Sequence, residues 1–239
     1  AVKVVGLMSG TSCDGVDAAL IEVAEVPEAG ERSATRATST ATGGGVQGRV
    51  RAFVHHPYDE GLRGRLLAAL SGGGPETLAE LHLAVAAAFA TATRALLHEA
   101  GVEAAGVAAL GSHGHTFWHR PPTRRRRGIS LQLGDAATLA AQTGIPVVSD
   151  FRSADLAAGG HGAPLVPFAD RHLLSHPEEP RILLNVAGMA NLTWLPPAGD
   201  AAAPVAFDTG PGNVLLDLAA GVATGGRLRC DVDGALAGD

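Results

Sequence analysis

The sequence predicts an α/β protein built in two unequal parts, and three observations carry that prediction. Two β-prone stretches, residues 2–5 and 18–23, flank a turn made of glycines, hydroxyls and carboxylates. Strand and helix patterns then alternate between residues 49 and 148, as expected of elements packed in layers. A strand, a polar turn with Ala187 and Gly188, and another strand begin a second cycle at residue 181, similar in kind to the opening hairpin.

Taken in order, Val2, Lys3, Val4 and Val5 form the first strand and residues 18–23 the second. Residues 25–48, rich in Gly, Ser, Thr, Ala and Glu without apolar periodicity, read as an exposed connection. Strand character resumes over residues 49–54. A short helix follows around residues 62–70, then a long one from Pro75 with Leu78, Leu81, Val85, Phe89 and Leu96 on one side. Pro75 suits a first helical turn and Gly101 suits a stop. Next come a strand over 107–111, an irregular loop rich in His and Pro, a strand over 129–133, a helix over 135–142, and a strand over 145–148 that ends in Ser149 and Asp150. The second cycle supplies a strand over 181–184, a turn over 185–191, strands over 192–195 and 205–207, and a helix over 213–223. Residues 231–239 read as a polar loop, so the chain is expected to be the amino-terminal portion of a longer protein.

Composition narrows the classes. The 239 residues are 46% hydrophobic and 18% charged, which marks a soluble globular protein. Aromatics make up only 4%, so close helix packing must replace large rings. The net charge of −6 gives no basic footprint for nucleic acid and disfavours anionic membranes. Arg124, Arg125, Arg126 and Arg127, beside Pro121 and Pro122, read as a solvated loop rather than a nucleic-acid patch. Cys13 and Cys230 are too few for a disulfide framework and fit a reducing cytoplasm. No export signal is visible, and charge or glycine interrupts every Ala-rich segment that could cross a bilayer.

The first turn carries the chemistry. Gly10, Thr11, Ser12, Cys13, Asp14, Gly15, Val16 and Asp17 combine glycines that let backbone approach an anion, hydroxyl donors, and two carboxylates suited to orienting hydrated Mg2+. Successive N–H groups in such a turn can point at phosphate oxygens, so ATP or another nucleotide is the expected ligand. A plain β-hairpin with polar turn residues is the competing reading. The segment lacks the Gly-Lys-Ser/Thr helix start of a Walker loop.

Three strands in meander order followed by strand and helix alternation resemble the ribonuclease-H-like domains of actin-like sugar kinases and heat-shock ATPases. The first such lobe would span residues 1–175, and residues 176–239 would begin a second lobe left incomplete in this chain. Five segments then resemble, in order, the anhydro-N-acetylmuramic acid kinases: residues 6–17, 111–121, 132–135, 150–165 and 207–213. The resemblance implies an ATP-dependent bacterial enzyme of peptidoglycan recycling. It would open the ring of 1,6-anhydro-N-acetylmuramic acid with water and transfer phosphate to the freed 6-oxygen. It implies that residues 10–17 bind ATP with Mg2+ and that Asp150 is the base activating the water. His119, Arg152, Asp208 and Asn213 are candidate sugar or nucleotide contacts, with Arg152 suited to a sugar carboxylate, and a homodimer is a candidate assembly. Asp155 is a weaker candidate. The chain departs from the family pattern at Ala187, where a second glycine is usual, and at His115 and His161, where amide side chains are commoner.

Two other readings are open from the residues. An actin-like lobe could bind nucleotide without turnover. Alternatively, His113 and His115, joined by His119, Asp150 and His161, could hold a zinc ion in a hydrolase, because His-x-His on a strand end would put two imidazoles on one face.

Overall fold

The computed structural model describes residues 1–10, 12–25, 40–43 and 46–238, and the chain separates into two compact units, Ala1–Leu165 and Val166–Asp239. In the first unit, β1 (Val2–Ser9) and β2 (Gly15–Glu25) form an antiparallel hairpin, extended outward by β4 (Val46–Pro57) and then β3 (Thr40–Gly43). On the other side of β1 lies the parallel strand β5 (Ala109–Arg120). Its first half also pairs in parallel with β7 (Val147–Ser149), and its second half pairs antiparallel with β6 (Ile129–Leu133). The order is β3-β4-β2-β1-β5-β6, with β7 joined to β5.

Helices pack on this sheet through the pattern the sequence foreshadows. In α2 (Pro75–Ala100), Leu81, Val85, Phe89 and Leu96 are fully buried against Val5, Leu7, Val16, Ala18 and Leu20 of the first hairpin. Buried Ala86, Ala90 and Ala92 let the helix sit close to its neighbours. Pro75 occupies its first turn, and Gly101 closes it in the left-handed region at φ +61°. Helix α1 (Glu60–Ser71) begins under the Asp59 carboxylate, which accepts the Leu62 N–H at 2.8 Å. Helix α3 (Ala136–Thr143) begins under Asp135 in the same way, and the short α4 (Ser153–Ala157) follows β7.

The second unit contains α5 (Val166–Leu174), the antiparallel strands β8 (Arg181–Val186), β9 (Met189–Leu195) and β10 (Val205–Pro211) in the order β10-β9-β8, and α6 (Asn213–Ala223).

Several expectations change. The irregular loop expected after residue 111 is strand as far as Arg120, because β1, β7 and β6 supply pairing partners along its whole length. Ser, Gly and His have weak intrinsic strand preference, and tertiary pairing overrides it. The expected turn over 185–191 tightens to Ala187 and Gly188, with strand on both sides. Strand β10 continues through Asp208 to Pro211, so Asp208 lies in a strand opposite Asn191 rather than in a loop. The expected connection over 25–48 contains β3 and the start of β4, while residues 26–39, 44 and 45 lie outside the described residues. Finally, α2 is long and apolar enough by composition to cross a membrane, with mean hydropathy 1.2 over an 18-residue window, which the sequence reading had excluded. Half of that window is buried inside the protein, so the apolarity serves the core.

Candidate active site

Parallel pairing brings the loop after β1 and Asp150 to the carboxyl end of the parallel strands of the first unit. Leu7, Ser112 and Ser149 stand side by side on β1, β5 and β7. Two residues beyond this row β1 ends at Ser9 and enters the loop at residue 10, and one residue beyond it β7 delivers Asp150. Ligands of open α/β sheets bind at such carboxyl ends.

The loop is a tight polar turn. The Cys13 N–H donates to the Gly10 carbonyl at 3.3 Å, and the Ser12 hydroxyl donates to Asp14 Oδ1 at 2.8 Å. A Cβ on Gly10 would meet only Ser12 Oγ, at 3.9 Å, so its backbone is open to approach. Asp14 is exposed, and an exposed carboxylate is a hard oxygen ligand of the kind Mg2+ takes. Thr11 lies outside the described residues. Gly15, Val16 and Asp17 already belong to β2. Gly15 is required there because a Cβ would come within 2.4 Å of the His56 carbonyl oxygen, and Val16 is fully buried. The Asp17 carboxylate lies 2.8 Å from His55 Nδ1 across the sheet.

Asp150 is exposed and holds φ at +58°, a left-handed conformation that costs a non-glycine residue energy. Its Oδ1 accepts the Ser153 N–H at 3.2 Å, which anchors the start of α4. The other carboxylate oxygen has no hydrogen-bond partner among the described residues. Arg152 turns inward: Nε and Nη2 reach His113 Nε2 at 3.0 and 2.7 Å, and Nη1 donates to the Gly162 carbonyl. His113 Nδ1 faces the Gly114 carbonyl at 3.1 Å. This network assigns the tautomer, with the proton on Nδ1 and the Nε2 lone pair accepting from arginine. Burial, opposed by the Gly114 carbonyl and aided by the Arg152 charge, lowers the His113 pKa, and burial lowers that of Arg152. His119 Nδ1 lies 3.1 Å from Ser130 Oγ, and burial followed by the Arg152 charge lowers its pKa. Asp155 accepts the Gly162 N–H at 2.6 Å and fills the space where a Gly160 Cβ would sit, so it shapes the 159–162 turn.

The proposed zinc centre fails on geometry. From Leu7 to Ser9 on β1 the chain advances two residues while β5 advances three, from Ser112 to His115, with Gly114 at φ +76° in the bulge. The bulge breaks the alternation that would have aligned the two histidines. His113 goes to Arg152, while the His115 nitrogens face Ser9 and Cys13, and no metal-ligating group of three or more His, Cys, Asp or Glu occurs among the described residues. The sequence reading missed the His113–Arg152 pair and the burial of Tyr58 below the loop; a glycine inside a strand was the available signal for the bulge.

In the second unit, Asp208 is exposed on β10 and Asn213 opens α6. The Gly212 and Asn213 N–H groups donate to the Gly188 and Ala187 carbonyls at 2.8 and 2.9 Å, so the helix start is docked on the β8–β9 turn. Gly212 is needed for that contact, since a Cβ would come within 2.1 Å of the Ala187 oxygen. Arg124, Arg125, Arg126 and Arg127 are exposed and border an open cavity with residues 156–160.

Fold and site together define an α/β protein with a glycine loop and a strand-end carboxylate at the carboxyl end of its parallel strands. The sequence matches the family model for anhydro-N-acetylmuramic acid kinase over residues 2–239. Proteins bearing that name are similar along the chain. The one from Gloeobacter violaceus is 43% identical over 224 residues, covering 92% of this chain and 55% of that protein. Those from Acaryochloris marina and Acidithiobacillus ferrooxidans are 44% and 42% identical, cover 99% and 97% of this chain, and are themselves covered to 59% and 52%. YeaZ from Pseudomonas aeruginosa, at 12% identity and TM-score 0.23 over 89% of this chain and 68% of that one, is too distant to bear on the fold. This chain belongs to the anhydro-N-acetylmuramic acid kinase family. It spans between 52% and 59% of the length of these relatives.

Proposed function

We propose that the protein carrying this chain is an ATP-dependent kinase of 1,6-anhydro-N-acetylmuramic acid, built on a two-lobed actin-like fold and acting in the cytoplasm in peptidoglycan recycling. The loop after β1 holds the nucleotide phosphates through backbone N–H groups, and the exposed Asp14 carboxylate would hold hydrated Mg2+. ATP supplies the phosphoryl group, and the metal would neutralise phosphate charge.

Asp150 acts as the general base. Its carboxylate takes a proton from water, whose oxygen bonds to the anomeric carbon. The bond between that carbon and the 6-oxygen breaks, and the 6-oxygen accepts the phosphoryl group to give N-acetylmuramic acid 6-phosphate and ADP. Arg152 keeps His113 and the 159–162 turn together at the sugar side, where His119 also stands. Asp208 and Asn213 are proposed sugar or nucleotide contacts of the second unit.

The observation that carries this reading is the shared carboxyl end of the parallel strands: the open backbone at Gly10 follows β1 and the half-unpaired Asp150 carboxylate follows β7, the two strands that flank β5. It is tested by incubating the intact protein with anhydro-sugar, ATP and 18O-water. The expected product carries one phosphate at the 6-oxygen and one 18O at the anomeric position. Nucleotide binding without product would instead favour a non-catalytic nucleotide-binding protein.

A further inference from the structure

Directly below the loop after β1 lies a buried polar cluster whose histidine and tyrosine no step of the proposed reaction uses. Ser9, Cys13 and His115 are each at most 2% exposed, and Tyr58 is 6% exposed. His115 Nδ1 lies 3.0 Å from Ser9 Oγ, and Nε2 lies 3.7 Å from Cys13 Sγ. The Tyr58 ring stands edge-on to the imidazole with centroids 6.0 Å apart, and its backbone N–H donates to the Asp14 carbonyl at 3.0 Å. The Tyr58 hydroxyl faces Ser9 without a hydrogen bond of good geometry, and burial raises its pKa. The loop is therefore gripped at its entry by Ser9, in its middle by Cys13, and at its exit by Asp14.

Cys13 needs that grip. Its φ of +52° is a left-handed conformation, which is unfavourable for a side-chain-bearing residue and persists only where surrounding contacts enforce it. Turns that include a left-handed residue converge their N–H groups into an anion-binding concavity. The imidazole is suited to enforcing the shape, because a neutral ring offers one donor and one acceptor on opposite sides. Burial, partly offset by the Asp14 charge and reinforced by His113, lowers the His115 pKa to about 4, so the ring stays neutral at ordinary pH. The bulge at Gly114 is what turns this side chain beneath the loop.

We infer that His115 is a positioning residue for nucleotide binding: by tying Ser9 to Cys13 it holds the left-handed turn at Cys13 in place before the phosphates arrive. The inference rests on the reading of this loop as the phosphate site. Preorganisation of this kind lowers the ordering cost of binding, so its loss falls on the nucleotide step.

The test compares His115→Leu, which keeps bulk and loses both polar atoms, with His115→Gln, which restores one donor and one acceptor. In the intact protein, His115→Leu is expected to raise KM for ATP about 10-fold, the scale of one or two lost hydrogen bonds. The turnover rate at saturating ATP and KM for the sugar should stay within about 2-fold, and His115→Gln should recover most of the loss. An unchanged KM for ATP in folded His115→Leu overturns the inference, as does an equal loss in every kinetic parameter or no recovery with glutamine. Should His115→Leu fail to fold, Cys13→Ala removes the thiol and carries the same expectation at about 3-fold. The wild-type protein separates the two levels: if it neither binds nor uses ATP, the loop reading falls, whereas normal wild-type kinetics with unaffected variants remove only the role of His115.

Discussion

Asp150 and Gly10 occupy backbone settings that make their substitutions informative. Asp150 sits at φ +58° and caps α4 through Oδ1, and asparagine tolerates the left-handed region and can accept the same Ser153 N–H. Asp150→Asn therefore keeps the local fold while removing most of the basicity. Turnover should fall by about 10²–10⁴, with sugar binding retained in calorimetry. Near-wild-type turnover would reassign Asp150 to capping. Gly10 has open space where its Cβ would be, unlike Gly15, whose Cβ would collide with the His56 carbonyl. Gly10→Val should thus fold normally and weaken binding of an ATP analogue about 10-fold or more, or 1.4 kcal/mol. Unchanged affinity in a folded Gly10→Val protein would remove the loop from the phosphate site.

At the scale of elements, capping and pairing hold the edge of the sheet in place. Asp135 starts α3 by accepting the Thr138 N–H at 2.6 Å, and its neighbour His82 accepts the Gly134 N–H at 3.0 Å from α2. The bonds from Thr138 hold the Asp135 pKa below its ordinary value, with a smaller contribution from His82. A carboxylate depressed in the folded state contributes stability that is present above its unfolded pKa and is lost as pH falls through the folded one. Asp135→Ala should therefore lower stability by about 1 kcal/mol at pH 7 in denaturant unfolding. That difference should shrink toward zero below about pH 3–4, as the wild-type carboxyl also protonates. A gap that stays constant down to pH 2 would mean that packing, not the charged cap, is responsible.

Across the whole molecule the two units differ in how they are covered. The first unit has a continuous core around α2, while in the second Ile182, Leu184, Phe207, Leu215 and Leu218 are each more than half exposed. The chain also spans little more than half the length of its relatives. The 239-residue chain by itself is expected to bind ATP analogues at least about 10-fold more weakly than a version extended to the family's length, and to bind more of an apolar dye. Equal affinity and equal dye binding would show that the first unit carries the complete nucleotide site.

Local chemistry determined much of this without tertiary help. The 3.6-residue spacing of Leu81, Val85 and Phe89, bounded by Pro75 and Gly101, is sufficient to specify α2, and Gly10 announces a turn by its lack of a side chain. Membership of the kinase family was also legible, because long motifs recur in order along the chain. Tertiary structure decided the rest, wherever an outcome depended on register. Residues 112–120 became strand because partners flank them, and His113 and His115 parted because the pairing of β1 with β5 slips by one residue at Gly114. The pairing of Arg152 with His113, 39 residues away in the chain, is likewise visible only in the folded structure. A one-residue slip reverses which face a side chain occupies, and that slip is a property of two strands together, which the residues of either strand alone do not encode.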